Sequence, residues 1–241
     1  MRKLIKGFPA VFFSLVFLSA CGYAGDRQVQ HSVYETQINS VQEAVDQFQK
    51  ETGVLPIKNR DMGTPIYQKY PIEFRRLVPK YLPDAPDNAY GNGGVFEYML
   101  VNVEKDPTVK VIDLTVAKVA QKLQRRVDVF RYQNHFGPLD EVIVPYRYTI
   151  DYDSLGYDQP PVVKSPFTGQ ELGFVMGPDV KVHIDYRKDL YAFLREYEGD
   201  YETGEDIREI LVEHSPFVPV YSFPYTVNKQ GEPIFLVKKK K

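Results

Sequence analysis

Few residues in this chain carry side chains that ligate metals, attack carbonyls or move protons, and they are scattered. The chain has one thiol, Cys21, and four imidazoles, His31, His135, His183 and His214. No H-x-x-x-H, H-E-x-x-H or C-x-x-C spacing exists, so zinc is not indicated. Asp151, Asp153 and Asp158 space oxygens along a stretch with Gly156 sixth, which is part of a calcium-loop pattern. Leu155 and Val162 stand where an EF-hand needs oxygen ligands, so the stretch reads as a polar turn with room only for a looser calcium site. Glu196 with Glu198, and Asp200 with Glu202, have the types needed for glycosidase chemistry. They sit in an acidic, turn-rich stretch that reads as a solvated face. G-x-S-x-G, P-loop and G-x-G-x-x-G patterns are all missing. The expectation is no catalytic residue, no metal and no cofactor.

Cys21 is different because of its setting. Met1 to Lys6 is basic, and Phe8 to Leu18 is an apolar run with Gly7 and Pro9 at its start and Ser14 inside. The run is too short to cross a bilayer as a helix, and it ends in small residues, as export signals do. Leu18-Ser19-Ala20-Cys21 resembles the lipobox of bacterial lipoprotein precursors. The resemblance implies a diacylglycerol on the Cys21 sulfur and cleavage between Ala20 and Cys21. Each buried methylene of such an anchor contributes about 0.8 kcal/mol, and two acyl chains hold durably. The thiol is then consumed, and Gly22 to Asp26 reads as a flexible tether. The expected location is the extracytoplasmic face of the cell membrane, or the outer membrane in a Gram-negative cell. The Lys- and Tyr-rich composition without Trp hints at the Gram-positive case.

Removing residues 1–20 leaves about 220 residues, enough for one large domain or a few small ones. Hydrophobic residues make up 43% and charged residues 26%, a globular balance rather than a disordered one. No second cysteine exists for a disulfide, so packing must supply stability. A net charge of −2 gives no bulk basic field for nucleic acid.

Periodicity organises the rest. Ile38, Val41, Val45 and Phe48 recur at helical spacing between Ser32 and Thr52, before Gly53 and Pro56. A short helix is expected within Pro71 to Tyr81, with Phe74, Leu77 and Val78 inward. After the Asp84 to Gly94 loop, strands are expected over Val95 to Val101 and Val109 to Leu114. Val116, Val119, Leu123, Val127 and Phe130 predict a helix over Thr115 to Gln133, stopped by Gly137-Pro138. Strands follow in Val142 to Tyr152, Leu172 to Met176 and Val180 to Tyr186. A third helix starts near Lys188, carrying Leu190, Phe193, Leu194 and Tyr197. Thr203 to Asp206 reads as a capping box for a short helix through Leu211. Two last strands flank the Asn228 to Gly231 turn.

These segments repeat. Ala44 to Pro56 can be laid on Arg126 to Leu139, matching Val45 with Val127, Asp46 with Asp128 and Phe48 with Phe130. Thr108 to Leu114 lies on Asp179 to Asp185, and a third partial copy begins at Leu190. The expected fold is α+β, with two to three small units each packing an amphipathic helix on a short antiparallel sheet. The expected boundaries are a signal at 1–20, a lipidated tether at 21–31, and units at 32–114, 115–187 and 188–241. Val41, Val45, Phe48, Gly53, Pro56, Leu77 and the Asp84 to Gly94 loop resemble the globular half of the major pseudopilin of type II secretion. That resemblance bears on fold alone, because the prepilin cleavage site and continuous apolar helix are missing. It also implies that the Asp84, Asp87 and Asn88 loop is a place where calcium can bind.

The reading for function is a membrane-anchored envelope lipoprotein that binds or adapts a protein partner without catalysis. The aromatics of Tyr146-Arg147-Tyr148 and of Tyr221 to Tyr225 are candidate groove residues, and Lys238 to Lys241 is a basic tail that can meet anionic lipid. The alternatives are an envelope hydrolase with a site assembled across units, and a solute-binding lipoprotein.

Overall fold

The computed structural model describes residues 22–197 and 199–237, with side chains from Tyr34 onward. The signal at 1–20, Cys21, Glu198, the Lys238 to Lys241 tail and the side chain of His31 lie outside what is described.

Helix α1 spans Gly22–Thr52. Its buried stripe is Ile38, Val41, Ala44, Val45 and Phe48, and it ends at Gly53 with φ 73°. It begins ten residues before the Ser32 start that periodicity indicates, so residues 22–31 are helical and not a loose tether. Apolar periodicity marks only the packed part of a helix, and propagation beyond it needs only one hydrogen bond per residue fixed. The helix expected over Pro71 to Tyr81 is a single 3-10 turn at Phe74–Arg76 followed by hydrogen-bonded turns. Pro71 lies instead in an extended bridge to Met99. Pro79 has no N–H and its ring crowds the preceding turn, so an α-helix does not continue through it. Leu77 is nevertheless fully buried.

Strands β1 (Phe96–Val101) and β2 (Thr108–Asp113) form an antiparallel hairpin. Val41, Val45, Leu77, Leu100 and Val111 make the core between this hairpin and α1. Helix α2 (Leu114–Asn134) follows at once, its first turn capped by the Asp113 carboxylate accepting from Thr115 N at 2.8 Å. It ends at His135, in the left-handed region at φ 65°, ahead of the expected Gly137-Pro138 stop. Histidine is among the side chains that tolerate this region.

Strands β3 (Leu139–Val144) and β4 (Arg147–Ile150) form a second hairpin, and β5 (Val163–Lys164) pairs with β6 (Glu171–Leu172). Then β7 (Phe174–Met176) and β8 (Val182–Ile184) complete an antiparallel sheet in the order β3-β4-β7-β8. Helix α3 (Arg187–Glu196) and helix α4 (Glu209–Glu213) precede the hairpin β9 (Tyr225–Val227) and β10 (Pro233–Phe235). No capping box opens α4. Its N-cap is Arg208 without a side-chain bond, and Asp206 instead accepts from Arg208 N in a preceding turn. The architecture is α+β, helices on small antiparallel sheets.

Residues 216–222 join the two halves. Val111 N donates to Pro216 O at 2.9 Å, Val218 N to Val111 O at 3.1 Å, and Ile184 N to Tyr221 O at 2.7 Å. The segment therefore bridges β2 in parallel at Phe217 and β8 in parallel at Ser222.

One polar clamp occurs twice. Gln42 Nε2 donates to Asp46 Oδ1 (2.8 Å) and Pro107 O (2.9 Å), and its Oε1 accepts from Val109 N (2.7 Å). Gln124 Nε2 donates to Asp128 Oδ1 (2.8 Å) and Val180 O (3.1 Å), and its Oε1 accepts from Val182 N (2.8 Å). The helix match of Asp46 to Asp128 agrees with the sequence repeat. The strand match does not, because the clamp sets Val109 on Val182, two residues beyond Val180. A shift of two keeps every side chain on its own face of the pleat, so the hydrophobic pattern does not register it. Helix α3 carries no glutamine, so no clamp of this kind stands on it.

Each clamp satisfies a strand N–H and a loop carbonyl that are partly buried. Gln42→Ala and Gln124→Ala are each expected to lower unfolding free energy by about 1–3 kcal/mol, measured by urea denaturation. Unchanged midpoints in both variants refute the clamp as a structural bond.

Candidate functional site

The duplicated frame makes two clefts, one beside each clamp. The first, about 610 Å³, lies between α1, the start of β2 and residues 213–216. The second, about 790 Å³, lies between the 63–68 loop, α2, the start of β8 and residues 219–224. With the clamps superposed, Asn39 falls on Gln121, Asp106 on Asp179, and Lys110 on His183.

The two clefts differ in charge. Glu35, Asp46, Asp106 and Glu213 line the first, together with Lys110. The Lys110 ammonium donates to Ser215 O at 2.8 Å, and burial pushes its pKa down. Arg125, Lys181 and Arg208 line the second, together with Asp179. The second cleft is also lined by Tyr67, Pro219, Val220 and Pro224.

Its walls are fixed by local bonds. Arg208 holds Asp206 at 2.7 Å and lies over the Tyr67 ring, 5.2 Å from its centroid. Burial pushes the Tyr67 hydroxyl up to about 12. Gln121 Nε2 donates to Tyr221 Oη at 2.9 Å. His183 stacks on Phe223 at 3.7 Å, and the Arg147 guanidinium lies 3.6 Å from the same ring. Burial brings the His183 imidazole down to about 4, so it is neutral at pH 7. Its Nδ1 is buried without a hydrogen-bond partner. A neutral imidazole with no carboxylate orienting it is a poor general base. Apolar walls with fixed cations at the rim are instead suited to binding.

The sequence-indicated sites are placed elsewhere. In the Asp151 to Asp158 stretch, Asp151 accepts from Ser154 N at 3.1 Å and from its hydroxyl, which holds the carboxyl below its usual range. Leu155 O and Gly156 O accept from Arg126 at 3.0 and 3.2 Å, so the stretch is a turn. In the other loop, Asn88 Oδ1 accepts from Tyr98 Oη at 2.8 Å. Among the described residues no group of three or more His, Cys, Asp or Glu is placed to hold a metal. His214 stacks on Tyr197 at 3.7 Å, and His135 caps α2. Glu196, Asp200 and Glu202 are exposed. Of the aromatic groups, Tyr221 lines the second cleft, whereas Tyr225 is core. Tyr146 sits exposed at a hairpin corner with φ 67°.

Sequence reasoning missed Asp189. It is fully buried in the first turn of α3, accepting from Ser165 Oγ at 2.7 Å and from the Thr168 hydroxyl. Burial raises its carboxyl to about 6 against those bonds. The signal was a lone acid among apolar α3 positions. Its role is to tie the Ser165 to Gly169 turn to the helix.

The fold defines an α+β protein, and its first part, a helix packed on a hairpin, is similar to a described family. The YphF family N-terminal domain matches residues 34–113, from within α1 to the end of β2. No curated protein and no solved structure matches the chain. The lipoprotein and pseudopilin resemblances rest on the sequence motifs alone.

His183 and Asp189 act oppositely on stability. Between about pH 4 and 6.5 the unfolded chain holds a His183 proton that the folded chain lacks, so this contribution is lost as pH falls. Between about pH 3.8 and 6 the folded chain holds an Asp189 proton that the unfolded chain lacks, so this contribution is lost as pH rises. Each slope is about 1.4 kcal/mol per pH unit at most. Relative to wild type over pH 4 to 6, Asp189→Asn is expected to gain stability as pH rises, and His183→Phe to lose it. Parallel stability-against-pH curves for the three proteins refute this.

Proposed function

We propose that this protein is a lipoprotein, held at the extracytoplasmic face of the membrane by a diacylglycerol on Cys21, that binds an envelope protein without catalysis. Helix α1 is helical from Gly22, the first described residue, to Thr52, and from Tyr34 onward it packs in the body. Residues 22–33 ahead of the packed part span about 18 Å at 1.5 Å per residue, so a short helical stalk rather than a loose tether leads into the body. The second cleft is the binding site in this reading. The observation that carries it is the combination of a Tyr67, Pro219 and Val220 wall with Arg125 and Lys181 at the rim. A protein segment with carboxylates beside apolar side chains complements that surface.

A photo-crosslinking residue in place of Ile66, exposed on this cleft, tests the reading in cells. The expected result is one dominant envelope protein crosslinked, reduced at least tenfold by Arg125→Glu with Lys181→Glu, and not captured from position 229. A crosslink that ignores the charge reversal, or none at all, refutes the cleft. Cys21→Ser is separately expected to abolish lipid labelling and release the protein from membranes. Retained labelling refutes the anchor.

A further inference from the structure

Helix α2 carries a second, outward surface that no packing explains. At 100° per residue, positions 118, 122, 125, 129 and 132 fall within an arc of about 80°. That arc lies opposite the buried Val116, Ala120, Leu123 and Val127. It holds Lys118, Lys122 and Arg125, then Val129 and Tyr132, all exposed. Val129 is 56% and Tyr132 84% exposed, and Phe136, one turn beyond, is 63% exposed. The helix also carries Arg126 and Arg131, against the single carboxylate of Asp128, which accepts from Gln124. This concentration of cations stands out in a chain of net charge −2. Beside it a depression of about 570 Å³ is lined by Lys122, Arg125, Arg126 and the Ser154-Leu155 turn.

We propose that this face of α2 seats on an anionic phospholipid bilayer. Lys118, Lys122 and Arg125 hold headgroup phosphates while their methylene stems cover apolar surface. Arg126, fixed by the carbonyls of Leu155 and Gly156 and lying over the Tyr157 ring, forms one wall of a headgroup seat. Tyr132 places its hydroxyl at the interface, and Val129 and Phe136 enter the acyl boundary. A row of cations followed by exposed apolar and aromatic side chains on one helix face is the arrangement of a helix lying in a membrane surface. An acidic protein would answer the cations, whereas a bilayer answers both the cations and the exposed Val129, Tyr132 and Phe136 that follow them. The inference goes beyond the cleft and does not require acylation of Cys21.

The test uses the full chain with Cys21→Ser and Tyr132→Cys, so that the one thiol carries an environment-sensitive fluorophore on this face. The expected result is a several-fold fluorescence rise with vesicles of phosphatidylglycerol and phosphatidylcholine. Phosphatidylcholine alone gives none, and neither does a reporter at Lys229→Cys. Lys118→Glu with Lys122→Glu, neither of which lines the second cleft, weakens binding about fivefold per cation, and salt weakens it further. A second reporter at Val129→Cys responds likewise. Equal response to neutral vesicles, indifference to the charge reversal, or binding of soluble polyglutamate but not of vesicles overturns the proposal. The last outcome would point to an acidic protein instead.

Discussion

A two-stranded hairpin does not stand alone in water, because it leaves a strand edge unpaired and buries too little apolar surface. The β1-β2 hairpin meets that constraint, and β8 ends the four-stranded sheet with the same kind of edge. Both edges are answered by one stretch of chain. Residues 216–222 pair with Val111 and then with Ile184, so the C-terminal segment completes two sheets built by strands that precede it in the chain. Tyr186 and Tyr225 seal the junction. Tyr225 Oη accepts from Tyr186 N at 3.0 Å and donates to Ile184 O at 3.2 Å, while Tyr186 Oη donates to Val220 O at 3.0 Å. Burial pushes both phenols well above their usual range, so they remain neutral partners in a dry core. The second cleft exists because this segment crosses from one sheet to the other.

What was legible in the sequence follows from which forces are local. The stripes of α1 and α2 and the β1-β2 hairpin show in periodicity because burial selects apolar residues at fixed spacing. Gly53 and the Asn228 turn show because backbone geometry selects them, and Asn228 Oδ1 does accept from Gln230 N and Glu232 N. The clamps were not legible. Gln42 and Gln124 sit at the flank of a helix face, where a glutamine usually means solvent, and their strand partners are more than fifty residues away. The second cleft was hidden for the same reason. Its walls come from five separate stretches, and only Tyr221, Ser222 and Pro224 belonged to a cluster that composition singled out. The Pro71 to Tyr81 helix misled because apolar spacing survived while Pro79 prevented the α-helical hydrogen bonds.

The duplicated clamp also shows what is constrained and what is free. Gln42 and Gln124 satisfy partly buried backbone groups, whose loss costs more than a surface bond, and Asp46 and Asp128 hold the two glutamines from the exposed side. Around them the equivalent positions differ. Lys181 stands where the first clamp has Thr108, Arg125 where it has Glu43, and His183 where it has Lys110. Lys110 reaches Ser215 O at one end of the crossing segment, and His183 stacks on Phe223 at the other. The equivalent pair therefore shares one task, holding the crossing segment, with different chemistry.

This difference turns one frame into two surfaces of opposite sign. Acidic groups gather around the first clamp and basic groups around the second, while the chain as a whole stays near neutral. Separated charge of this kind stores no folding energy of consequence at exposed positions. Its physical effect is a dipolar field that orients the body toward charged surroundings before contact. Helix α2 lies at the positive end. One side of it builds the core of the second unit, one flank carries Gln124 and Arg125 into the cleft, and the outward side holds Lys118, Lys122 and Tyr132 in water. A helix shared among three surfaces cannot drift in position without disturbing all of them. Fixing it at both ends, with Asp113 at the start and His135 in a left-handed cap at the finish, is the structural condition for all three.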